Sequence, residues 1–161
     1  MSDTTPFAVH NSPHRTLRSL GKSSTIDKDI PMQILQPPDW ARPRGYSNGI
    51  VTRGQLIFVA GQIGWDASGR IATGLTAQVE QALSNILTVL AQAGAGPQHV
   101  TRLTWFVTDI DQYREQAKAI GPGYRRIMGK HFPTMSVIGV SALVEPDALV
   151  EIEATAVLPA G

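Results

Sequence analysis

The chain has 161 residues, 42% of them hydrophobic and 17% charged, with a formal net charge of +1 and no cysteine. That length suits one domain with a proper core. The near-neutral balance offers no basic surface for nucleic acid or anionic lipid, and the missing thiols exclude disulfides, zinc–thiolate sites and cysteine nucleophiles. No apolar run is long enough for a membrane-spanning helix, and the N-terminus lacks the apolar stretch of a secretory signal, so the chain reads as cytoplasmic.

Residues 1–31 are rich in Ser, Thr, Pro, Lys and Arg and show no apolar periodicity. They are expected to form a flexible extension ahead of a domain over 32–161, and Met32 offers a second start site. His10 and His14 have a His-x3-His spacing but no helix to place them on one face, so no metal site is expected there. Residues 36–44 (QPPDWARPR) are proline-rich and read as extended. Strands follow at Ile50–Thr52 and Leu56–Ile63, around a tight turn at Arg53-Gly54. The spacing of Val79, Ala82, Leu83, Ile86, Leu87, Leu90 and Ala93 predicts a helix over Leu75–Ala93, closed by Gly94.

Val100–Thr108 (VTRLTWFVT) alternates as a strand. Asp109 or Asp111 can cap a second helix over Gln112–Met128, with Tyr113, Ala117, Ile120, Tyr124 and Ile127 inward. Gly121-Pro122-Gly123 lies inside that helix and predicts a kink or two short helices, because proline removes a backbone bond and glycine is a poor helix former. Two strands close the chain, Met135–Leu143 and Val150–Val157, joined by a turn at Glu145-Pro146-Asp147. The order ββ-α-β-α-ββ is that of an α+β domain with one mixed sheet and two helices on one face. Several strands are apolar on both faces, and two helices cover only one. The other face needs a partner, for which a second copy of the chain suffices.

No phosphate-cradling glycine loop opens a helix, no Gly-x-Ser-x-Gly elbow occurs, and His131 has no partner at ligand spacing. Glu151 and Glu153 put two carboxylates on one face of the last strand. They fit either a solvated sheet face or a cleft in which Glu151 accepts a hydrogen bond from water or substrate.

The stretches GYSNGI (45–50), FVAGQI (58–63), QAGAG (92–96), VTRLTWFVTDIDQY (100–113), HFPTMSVIGV (131–140) and ALVEIEATAV (148–157) together resemble the RidA/YjgF family, also called UK114 or endoribonuclease L-PSP. The resemblance spans about residues 45–158. It implies a chorismate mutase-like fold and a homotrimer, with sheets around a central barrel and small-molecule sites in the clefts between subunits. It also implies cofactor-free, metal-free hydrolysis of reactive imines and enamines to ketones and ammonia. Glu151 then matches the glutamate that positions water, and Tyr46 the tyrosine that closes the cleft. Gly61 matches the glycine whose backbone lines the pocket, preceded here by Ala60. At the arginine that holds the substrate carboxylate this chain has Met135, followed by Ser136, with Tyr124 near the cleft. A thioether cannot pair with a carboxylate, so the expected substrate is an imine or enamine lacking that group. The alternative is a non-catalytic trimer that binds a metabolite or acts as a regulatory or chaperone-like partner.

Overall fold

The computed structural model describes residues 32–159. The expected extension over 1–31, with His10 and His14, lies outside the described residues. The elements run β1 (Met32–Leu35), β2 (Gly49–Thr52), β3 (Gln55–Gln62), α1 (Leu75–Ala91), a short 3-10 turn at Pro97–His99, β4 (Val100–Val107), α2 (Ile110–Met128), β5 (Thr134–Gly139) and β6 (Val150–Leu158).

Four strands form the main sheet in the order β3-β6-β4-β5. β6 runs antiparallel to both β3 and β4, while β5 lies parallel to β4, so the sheet is mixed. Parallel neighbours need a crossover, and α2 supplies it. The last strand therefore inserts between β3 and β4. The two strands flanking the 145–147 turn are not neighbours, although that turn is present, with Ala148 N–H donating to the Glu145 carbonyl at 3.1 Å. The expected strand over 135–143 ends at Gly139, where the chain leaves the β4 edge. β2 pairs with β1, which was not expected, and β3 pairs with β6, so the Arg53-Gly54 turn joins two different sheets. Gly54 has φ +151°, and a side chain there would strike the Leu158 carbonyl.

One face of the main sheet is the core. Val59, Leu103, Trp105, Val107, Val150, Ile152, Ala154 and Ala156 alternate along their strands and pack on α1 and α2. The α1 stripe Val79, Ala82, Leu83, Ile86 and Leu90 is fully buried, each large apolar side chain contributing about 1.5–3 kcal/mol. Ala93 falls outside the helix and is exposed. Gly94, at φ +70°, ends the helix as expected. Ala95 N–H donates to the Leu90 carbonyl and Gly94 N–H to that of Ala91, each at 3.0 Å, which is the Schellman pattern.

Asp109 is the α2 cap. Its carboxylate accepts from the Asp111 and Gln112 amides at 3.0 and 2.9 Å. The helix then runs through Pro122 as one element, so the expected split into two short helices does not occur. Ile120, Tyr124 and Met128 bury themselves on either side of the proline and hold the helix against the core. The carbonyl that proline leaves without its usual partner belongs to Lys118, which is exposed like Pro122, so the loss falls on the solvent side of the helix. Gly123 lets α2 approach α1, because a Cβ there would meet the Glu80 carboxylate. Glu80 also pairs with Arg126 at 2.5 Å. Ala117, expected inward, is exposed.

Among the described residues, no helix covers the other face of the main sheet. Leu56, Phe58 and Ile138 lie open there, with relative exposures of 58, 74 and 44%.

Candidate functional site

Strand pairing puts Glu151 on the open face beside Phe106 of β4, with Glu153 beside Thr104. On its other side the β3–β6 register slips between Val59 and Gln62, and that irregularity carries Ala60 and Gly61. The slip brings the Gly61 backbone directly beneath the Glu151 side chain. A Cβ built on Gly61 would sit on Glu151 Oε1 and 2.6 Å from its Cδ, so only glycine leaves the carboxylate where it is. Gln62 folds back, its Nε2 donating to the Ala60 and Gly61 carbonyls at 3.2 and 3.3 Å. Glu151 is half-buried. No ion pair or side-chain hydrogen bond engages its carboxylate among the described residues, so its lone pairs are free to accept from a bound molecule.

Next to this pair, on the same face, Phe58, Ala60, Arg102, Thr104, Glu153 and Thr155 line a cavity of about 480 Å³. Arg102 was missed in the sequence. The signal was there, since it shares a strand face with Thr104, but a lone arginine on a strand has no spacing that marks it.

Tyr46 stands elsewhere. Ser47 fixes its loop, donating from N to the Pro133 carbonyl at 3.0 Å and from Oγ to the Phe132 carbonyl at 2.5 Å. Tyr46 is thereby tied to the chain just before β5. It lines a groove of about 430 Å³ whose walls include neither Glu151 nor Gly61. Within one protomer, then, Gly61, Ala60 and Glu151 come together and Tyr46 does not join them.

Met135 and Ser136 point to opposite faces of β5. Met135, level with Leu103, packs half-buried against the core; Ser136, level with Thr104, is exposed on the open face. Tyr124 is in the core. Its hydroxyl donates to the His131 carbonyl at 3.0 Å, and its ring stacks on Phe132 at 5.6 Å. Burial pushes its phenol pKa well up, so it stays protonated. Among the described residues no group of three or more His, Asp or Glu converges as a metal site, and no helix is long and apolar enough to cross a membrane.

Residues 40–158 match the family described as Endoribonuclease L-PSP. The chain is 31% identical to the RutC family protein UK114 of Drosophila melanogaster over 129 residues, covering 79% of this chain and 90% of that one. It is 32% identical to the 2-iminobutanoate/2-iminopropanoate deaminase of Capra hircus over 114 residues, or 70% of this chain and 79% of that one. Among solved structures it is similar to the Rid family protein YyfB of Yersinia pestis, with a TM-score of 0.68, 34% identity, and coverage of 80% of this chain and all of that one.

Proposed function

Because the chain belongs to the Endoribonuclease L-PSP family, that of the RutC, UK114 and Rid proteins, we propose that it hydrolyses a reactive imine or enamine that lacks a carboxylate on the reacting carbon. The observation that carries this reading is the free Glu151 carboxylate seated over the Gly61 backbone. Relatives named 2-iminobutanoate/2-iminopropanoate deaminase support the reaction class.

In the proposed step, a water held by Glu151 attacks the carbon of a protonated C=N bond. Glu151 takes one water proton as the C–O bond forms, giving a carbinolamine. That proton passes to the nitrogen. The C–N bond then breaks, its electron pair leaving with ammonia, while the hydroxyl gives its proton to the Glu151 carboxylate and closes to a carbonyl; Glu151 returns that proton to solvent, balancing the one taken up when the imine was protonated. The sum is imine plus water giving carbonyl compound plus ammonia. Ala60 and Gly61 form the wall under the reacting carbon, and Tyr46 closes the cleft from a neighbouring subunit. The exposed Leu56, Phe58 and Ile138 support self-association through the open face, and the assembly proposed is a homotrimer with one ligand cleft per interface. Met135 at the arginine position supports a substrate without a carboxylate there.

The test is ammonia release from freshly generated imines by wild type and Glu151→Gln, with the assembly followed by light scattering. The variant should keep the assembly and lose turnover by about a hundredfold or more. Unchanged turnover removes Glu151 from the chemistry. A second reading, a non-catalytic trimer that binds a metabolite, has one specific observation behind it: Met135 packs half-buried against the core. Ligand binding with no product from any imine would favour it.

A further inference from the structure

The groove beside Tyr46 carries a charge pattern that hydrolysis at Glu151 does not use. Its apolar walls are Ile34, Pro43 and Phe132, its aromatic edge is Tyr46, and its charged side chains are Arg42 and Lys130. Among the described residues, no acidic side chain lines it. His131 also borders it, but its Nε2 lies 2.6 Å from the Val100 carbonyl and is engaged there. The ion pairs among the described residues are Asp66–Arg70, Asp111–Arg114 and Glu80–Arg126, so neither Arg42 nor Lys130 belongs to one.

Both cations arrive on constrained backbone. Arg42 follows the turn in which Trp40 N–H donates to the Pro37 carbonyl at 3.1 Å and the Gln36 side chain donates to the Trp40 carbonyl at 3.1 Å. Lys130 follows Gly129, the φ +68° residue that ends α2. Two like charges brought to one groove with no counter-charge among the described residues lining it repel each other and are relieved by a bound anion. An arginine fork and a lysine ammonium are the side chains suited to phosphate and carboxylate.

We propose that this groove is a subsite for an anionic group, phosphate or carboxylate, carried by the ligand at a distance from its reacting carbon. Arg42 and Lys130 hold the anion, and the Tyr46 ring packs against the stem that joins it to the reacting end. The inference rests on the reading of Tyr46 as a cleft residue, and it names the substrate class: imines with a remote anion instead of one on the reacting carbon. Met135 removes the near grip, and the basic groove supplies a far one.

The experiment uses the full-length protein and two kinds of probe. Inorganic phosphate and succinate are titrated separately while the amide resonances of Tyr46, Lys130 and Phe132 are followed, in wild type, Arg42→Gln/Lys130→Gln and Glu151→Gln. Both anions should bind wild type and Glu151→Gln alike, bind the double variant about tenfold or more weakly, and weaken with added salt. Binding of phosphate alone or succinate alone supports the subsite and identifies its anion. In parallel, ammonia release is compared between the imine of succinic semialdehyde and the neutral imine of butanal. Wild type should favour the anionic imine in kcat/KM by about tenfold or more, and the preference should collapse in the double variant. Absence of anion binding in wild type, or full binding in the double variant, overturns the subsite whatever the imine assay gives. Anion binding at these residues with no imine turned over leaves the subsite standing and removes the hydrolytic reading instead.

Discussion

Substituting Gly61 by alanine isolates the contact on which the site depends. The new methyl would lie 2.6 Å from Glu151 Cδ and 2.7 Å from its Cγ, where carbon atoms rest at about 3.5–4.0 Å. The carboxylate must therefore retreat by about 1 Å. What it meets is the far end of a flexible, half-buried side chain, so the fold gives way cheaply and stability should change by less than about 1 kcal/mol. A water held by that carboxylate moves with it. A misplacement of about 1 Å costs roughly a hundredfold in rate, or about 2.7 kcal/mol of barrier. The assay is ammonia release from an imine substrate, paired with thermal melting of the same samples. Full turnover in a variant that melts like wild type would refute the claim that the Gly61–Glu151 contact sets the position of the water.

The companion substitution Gly64→Ala should do the reverse. Its Cβ would lie 2.6 Å from the Gln78 Cα, a backbone atom of α1 that cannot swing away, so a loss of about 1–3 kcal/mol in chemical denaturation is expected. Asp109→Ala removes the two cap bonds of α2 and should cost about 1 kcal/mol, read from the same denaturation curves. Tyr113 and Tyr124 both have phenol pKa values raised by burial. A raised folded pKa means stability fully present below the unfolded value near 10 and lost as the pH climbs past it. The fold should thus weaken above about pH 10, and Tyr124→Phe should lessen that alkaline loss while costing about 1 kcal/mol at neutral pH through its hydrogen bond to His131.

What was legible in the sequence is what local periodicity encodes. The α1 stripe, the Gly94 stop and the Asp109 cap are each written within a few positions, and each appears in the fold. The course of α2 through Pro122 was not legible, because three buried side chains and the close approach to Glu80 outweigh a local helix breaker. The sheet order was not legible either. β6 finds its neighbours β3 and β4 at long range, and nothing near Val150 says so. β1 is four residues of modest alternation beside a proline-rich run, too short to stand out until β2 pairs with it. At the site, Glu151 and Gly61 were matched through family resemblance, since their contact depends on the slip in register between β3 and β6. Arg102 in the open-face cavity and the pair Arg42 and Lys130 beside Tyr46 went unnoticed, because cations gathered from distant segments leave no spacing to read.

The most direct measurement is ammonia release by the full-length protein from a panel of freshly generated imines, spanning 2-iminopropanoate and imines with no carboxylate on the reacting carbon. The account predicts release from the latter well above the uncatalysed rate, little acceleration for 2-iminopropanoate, and loss of the activity in Glu151→Gln. Release no faster than in buffer for every imine, or equal release from wild type and Glu151→Gln, would contradict it.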